Sequence, residues 1–236
     1  MVVRSRHAAV LKKGQWDSAF GRQMTVEKVL QYMTDHWNAS QKRPPADMRY
    51  AQPEPKITKY FAKSLQKHRL ANGIDGIFIP EFINPEIDDE LQILTSRSRT
   101  DLTYYNEKVE PYIQIDLEFK KLKAYPGAKT SRNQYIKDGL IRFVNGLYAQ
   151  STQVGFMVGL IEKTEQVEEI VGGMKQSMQE KSTGQFVRIL AKRDGMTIES
   201  TGKEFAPCEF ETRHARDHVP NRDDVLIGHL FLVHEA

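Results

Sequence analysis

Residues 112–122 read YIQIDLEFKKL, and this stretch constrains the fold more than any other. Apolar and polar residues alternate along it, which is the period of a β-strand. Ile115, Leu117 and Phe119 then share one face, and Asp116, Glu118 and Lys120 share the other. Two carboxylates and an ammonium do not make a hydrophobic surface. Burying them costs free energy unless they pair with one another or hold a ligand. Such a strand needs a core against one side and a place for charge on the other.

The flanking segments supply that core. Val26, Val29, Leu30, Met33 and Trp37 recur at helical spacing. NASQKRPPADMRYAQPEP (38–55) holds four prolines and reads as a loop. A second helix follows with Ile57, Tyr60, Phe61 and Leu65 on one face and Gly73 as its stop. GIFIP (76–80) reads as a short strand, 84–95 as strand or helix, and TDLTYY as a strand before 112–122. RNQYIKDGLIRFVNGLYA carries a helical stripe of Ile136, Leu140, Phe143 and Leu147. VGFMVGLI (154–161) is a continuous apolar run of the kind found in buried strands. A helix with Val167, Ile170, Val171, Met174 and Met178 comes next, and FVRILAK, PCEFETRH and DVLIGHLFLV are strand-like. This order predicts an α/β fold with a central mixed β-sheet flanked by helices.

Other architectures and chemistries are disfavoured. The chain has 236 residues, 39% of them hydrophobic, and no apolar run near the ~20 residues of a membrane-spanning helix. The basic N-terminus lacks the apolar stretch of a signal peptide, so a cytoplasmic protein without a membrane partner is expected. One cysteine, Cys208, excludes an intramolecular disulfide and any multi-cysteine zinc site. No Walker A loop and no G-x-S-x-G elbow is present.

The chemistry-bearing residues gather around the charged strand. Two carboxylates suit a hard divalent cation such as Mg²⁺, and a neighbouring lysine can orient water or stabilise negative charge. The pattern acid–any–Lys occurs twice, at Glu54-Pro-Lys56 and Glu118-Phe-Lys120, and only the second lies in a strand pattern. Asp101 opens the preceding strand, and a hairpin through YNEKVEPY would bring it to Glu118. Residues 119–142 hold seven basic side chains against Asp138 alone. Lys121, Lys123, Lys129, Arg132, Lys137 and Arg142 are therefore candidates to grip a polyanion such as a nucleic-acid backbone. Tyr135, seven residues before Arg142 and so on its helical face, and His214 in TRHAR are further candidates.

Several of these segments together resemble the PD-(D/E)XK nuclease superfamily, especially its small bacterial members associated with defence against phage. The matching stretches are EPKIT, GIFIPE, SRTD, DLEFKKL, YIKDGLIRFVNGLYA, VGFMVGLI and TRHAR…LIGHLFLV, spanning residues 54–234. The resemblance implies a restriction-endonuclease-like fold over 51–236, with residues 1–50 as an N-terminal helical extension. It implies a metal-dependent endonuclease that uses Mg²⁺ or Mn²⁺ to hydrolyse DNA phosphodiesters, with RNA left open, in a defence or restriction system. Asp101 takes the first acid of the motif, Glu118 the second, Lys120 the lysine, and Glu54 the additional acid. Asp101, Glu118 and Lys120 would be catalytic, and Glu54, Asp101 and Glu118 metal ligands. Thr100 stands where the motif has proline, and Asp116 is an extra acid that competes with Asp101 as the partner of Glu118. The implied partners are DNA and either further copies of the chain or other subunits of a defence complex. The alternative is a non-catalytic DNA-binding or assembly subunit that keeps the fold, and convergence of the four motif residues is what separates the two.

Overall fold

The structure is a computed structural model that describes residues 13–88, 93–109, 112–149, 152–190, 204–219 and 224–234. Its centre is a six-stranded mixed sheet in the order β1-β4-β5-β6-β8-β7. The strands are β1 Ile77–Pro80, β4 Leu102–Asn106, β5 Ile113–Leu122, β6 Val154–Ile161, β7 Phe210–His214 and β8 Val225–Val233. β5, β6 and β8 are mutually parallel, and β1, β4 and β7 pair antiparallel to their neighbours. β2 (Ile83–Asp88) and β3 (Ile93–Arg99) form a separate hairpin, which settles the stretch the sequence leaves between helix and strand.

Helices cover both faces of the sheet. On one side lie α1 (Lys13–Gln41) and α2 (Glu54–His68). Val29, Leu30, Met33 and Trp37 of α1 and Ile57, Phe61 and Leu65 of α2 pack there with Ile115, Leu117 and Phe119 of β5. On the other side lie α3 (Ala128–Gln134), a π-helical turn (Tyr135–Leu140), α4 (Ile141–Val144) and α5 (Val167–Gln179). Leu140, Phe143, Ile170 and Met174 pack there with Leu122, Met157 and Ile227. β6 and β8 run between these layers with both faces buried, which is why they read as unbroken apolar runs. β5 keeps the predicted alternation: its odd-numbered residues enter the first core, and Asp116, Glu118 and Lys120 turn towards the α3–α4 side.

Three expectations change. The division at residue 50 does not divide the packing. Met48 and Trp37 are fully buried in the first core, the Trp37 indole donates to the Val233 carbonyl at 2.7 Å, and Tyr32 donates to the Leu65 carbonyl at 2.8 Å. The proline-rich segment is thus a connection within one core. FVRILAK is not a strand over its described part: Phe186 ends α6 (Lys181–Phe186), and only Ile189 makes a bridge, to His214. Residues 191 and 192 lie outside the described residues. Finally, the predicted helix after β5 contains the π turn, whose extra residue rotates everything beyond it. Tyr135 and Arg142 therefore do not share a face. Among the described residues no helix is long and apolar enough to cross a membrane.

Candidate functional site

The register of the β4–β5 hairpin builds the site. Leu102 pairs with Leu117, so Asp101, just before β4, stands across from Glu118. Asp101 Oδ2 accepts the Phe119 amide at 2.8 Å, which fixes the carboxylate over the strand. Glu54, the first residue of α2, arrives from the other helical layer and accepts the Lys121 amide through Oε2 at 2.8 Å. Lys120 Nζ lies among the three carboxylates, 2.7 Å from Glu118 Oε1, 3.3 Å from Glu54 Oε1 and 3.9 Å from Asp101 Oδ2. The structure thus brings together all four residues picked out by the motif.

The electrostatics follow from burial. Glu118 is 1% exposed, and its pKa is pushed up to about 7, chiefly by desolvation and then by the Asp101 charge; Lys120 and Arg142 oppose the shift. Burial also raises Glu54, against the pull of Lys120. Desolvation alone would lower Lys120, but Glu118, Glu54 and Asp101 outweigh it and hold the ammonium above its ordinary value. Lys120 is therefore a fixed cation. Its three N–H donors meet Glu118 Oε1, Glu54 Oε1 and the Phe119 carbonyl, the last at 2.7 Å.

Hydrogen-bond capacity is left over at one place. Glu118 Oε2 is buried and has no hydrogen-bond partner. Asp101 Oδ1 carries no bond among the described residues, whereas both Glu54 oxygens are engaged. A hard cation takes oxygen ligands of this type, so Asp101 and Glu118 have the right chemistry for one. In the present arrangement, with Lys120 between the carboxylates, no group of three or more His, Cys, Asp or Glu among the described residues is set for metal ligation.

The acids open into a cleft of about 420 Å³, whose wall includes Arg99, Arg142, Leu147 and Tyr148. Arg142 lies 3.7 Å from Glu118 Oε1, and its guanidinium also donates to the Tyr148 hydroxyl. That hydroxyl donates to the Arg99 carbonyl at 2.7 Å. The helix can come this close because residue 139 is glycine: a Cβ there would stand 2.5 Å from Met157 Cε and 3.5 Å from Glu118 Cγ. Sequence reasoning missed Arg99 and Tyr148. The signal for Arg99 is its place two residues before Asp101; Tyr148 lies in NGLYA, which reads as the end of a helix.

Other candidates take different places. Asp116 shares the strand face with Glu118 but is saturated: it accepts from Thr103 at 2.9 Å, from Gln114 at 3.0 Å and from the Ala149 amide at 2.9 Å. Ala149 has a φ of 50°, and buried Arg216 donates to its carbonyl and to those of Tyr148 and Phe143. Asp116 and Arg216 therefore hold the turn that carries Tyr148 into the cleft. Tyr135 is buried, bonded to His229 Nδ1 at 2.8 Å, with its hydroxyl pKa raised by burial. His214 is also buried, and desolvation lowers its pKa to about 4. Neither reaches the cleft, because each is spent on a core network. The basic run divides as well. Lys121 bonds the Tyr50 and Gln52 carbonyls, Lys123 is exposed beside Gly127, and Lys129, Arg132 and Lys137 line a separate groove against α5 and α6. Of the run, Arg142 and Lys120 line the cleft.

No family model, no curated protein and no solved structure matches this chain.

Proposed function

We propose that the chain is a metal-dependent nuclease of restriction-endonuclease-like fold, hydrolysing phosphodiesters of DNA in a defence or restriction system. The observation that carries this reading is the convergence of Glu54, Asp101 and Glu118 on Lys120, from α2, the β4 entrance and β5. Asp101 and Glu118, with their spare oxygens, would hold Mg²⁺ or Mn²⁺. Such a cation supplies a bound water of lowered pKa and neutralises charge on the phosphate. Glu54 then serves mainly to orient Lys120. Lys120 remains protonated, so it donates hydrogen bonds and does not act as a base. Its contact with Glu54, the longest of its three, is the one most easily exchanged for a water or a phosphate oxygen. Arg142, 3.7 Å from Glu118, and Arg99, 3.6 Å from Glu81, add positive charge to the cleft lining, where a phosphate would enter.

One observation favours a second reading, a DNA-binding or assembly subunit without catalysis. The ammonium of Lys120 already neutralises the carboxylates in the manner of a fixed ion cluster. Incubation with plasmid, linear duplex, single-stranded DNA and RNA, in Mg²⁺, Mn²⁺ or excess chelator, separates the two. The nuclease reading requires cleavage that chelator abolishes; binding with no cleavage under any of these conditions supports the second.

A further inference from the structure

Lys129, Arg132 and Lys137 face a groove of about 590 Å³ between the α3–π segment and α5–α6, apart from the acidic cleft. These three have no ion-pair partner among the described residues, although Glu180 lines the same groove. Asn133, Ser177, Ser182 and Thr183 also line it, with side-chain polar atoms that bond nothing else described. Phe186 lies at the groove with 48% of its surface exposed. A separate feature seats the middle cation. Gly173, in the interior of α5, leaves the space that Arg132 fills, since a Cβ at that position would stand 2.1 Å from a guanidinium nitrogen.

We propose that this groove binds a nucleoside phosphate, with phosphate oxygens on Lys129, Arg132 and Lys137 and the base against Phe186. The unpaired cations call for an anion, and the free amide and hydroxyls match the edges of a base and a sugar. An exposed aromatic face stacks on any base. The volume lies within the range of small-molecule sites. Glu180 weighs against an acidic peptide, whose charge is spread along its length; a nucleoside phosphate concentrates its charge at one end. The same chemistry is offered by a free nucleotide and by an unpaired nucleotide of a strand, and the site stands whether or not the cleft is a nuclease.

The test is equilibrium binding to the full chain in chelator, with ATP, inorganic phosphate, a single-stranded deoxythymidine oligonucleotide, a duplex of equal length and a poly-glutamate peptide. ATP or the single strand is expected to bind more tightly than phosphate, duplex or peptide. ATP alone identifies a free nucleotide, and the oligonucleotide alone identifies a strand. The Lys129→Ala/Lys137→Ala variant should lose about tenfold or more and show a flatter salt dependence. Phe186→Ala should lose about fivefold to 100-fold. Gly173→Ala, which shifts the Arg132 guanidinium without removing a charge, should weaken binding less than the lysine variant. Lys63→Ala, exposed on α2 and outside both the groove and the cleft, should bind with unchanged affinity, and because binding is read in chelator without cleavage, a failure here and a failure of the nuclease reading stay distinguishable. No binding of ATP or single strand, tighter binding of the peptide, or affinity indifferent to the Lys129→Ala/Lys137→Ala and Phe186→Ala variants overturns the assignment.

Discussion

Lys120 Nζ lies 2.7 Å from Glu118 Oε1, two residues back on the same strand, while Oε2 of that carboxylate is buried without a partner. Half of Glu118 is thus bonded by a cation of the chain, and half lacks the bond that burial demands. With its pKa pushed up to about 7, Glu118 costs stability when it ionises. The folded state holds the proton to higher pH than an unfolded glutamate at about 4.3, so stability falls as pH rises between these values. Glu118→Gln removes that slope. In chelator it should exceed the wild type by about 3–4 kcal/mol above pH 7 and match it below pH 4, measured by urea unfolding.

Lys120→Ala has the opposite effect. It leaves Glu54, Asp101 and Glu118 with Arg142, 3.7 Å from Glu118, as the remaining cation beside them, and removing one partner of a buried ion pair costs about 3 kcal/mol. Denaturation at pH 8 should show this loss, and under the proposed function Mg²⁺ should recover part of it, since a ligand that binds only the folded chain stabilises it.

How much of this was legible in the sequence depends on how local each feature is. The alternation of β5 and its charged face follow from period 2, which nothing in the tertiary structure alters. The Asp101–Glu118 juxtaposition was accessible because a hairpin fixes register over a few residues. The role of Asp116 was not. Its partners are Thr103 on the neighbouring strand and the Ala149 amide beyond a helix, and no spacing announces them. The basic run misled for a related reason. Residues adjacent in sequence diverge around a helix, and the π turn shifts their phase, so one run serves an inter-segment anchor, a cleft and a groove. The prolines of 38–55 imitate a linker, but the buried side chain of Met48 lies among them.

Asp116→Ala should lower stability by about 2–3 kcal/mol, since the buried Ala149 amide and Thr103 hydroxyl each lose an acceptor. It should also free the turn carrying Tyr148, seen as faster hydrogen exchange at Tyr148 and Ala149. Unchanged exchange there would remove Asp116 from the support of the cleft.

A chain truncated to begin at Gln52 should not fold cooperatively. It lacks Val29, Leu30, Met33, Trp37 and Met48, all buried against the sheet, and Trp37→Ala alone should cost about 3–5 kcal/mol. A sharp thermal transition in the truncated chain would restore residues 1–50 as a separable element.

Acid should destabilise the fold through two core histidines. His214 Nδ1 must donate to the Val187 carbonyl, so its Nε2 accepts from Thr212, which in turn accepts from His229 Nε2–H, whose Nδ1 accepts from Tyr135. Both rings must be neutral for this chain of bonds. Burial lowers His214 to about 4 and puts His229 well below its usual value. Their contribution is fully present above the unfolded pKa near 6.5 and is lost as pH falls towards 4. Thermal melts of His214→Phe should show a shallower acid slope than the wild type between pH 6.5 and 4.

The central claim is that the acid–lysine cluster is a nuclease centre, and cleavage of supercoiled plasmid in Mg²⁺ or Mn²⁺ tests it most directly. Wild type, Asp101→Asn, Glu118→Gln and Lys120→Ala should be purified identically and compared in cation and in excess chelator. Cation-dependent cutting by the wild type, lost in all three folded variants, is the expected result. Cutting that persists in Glu118→Gln or in chelator, or no cutting by any preparation, contradicts the claim and leaves a buried ion cluster whose function is structural.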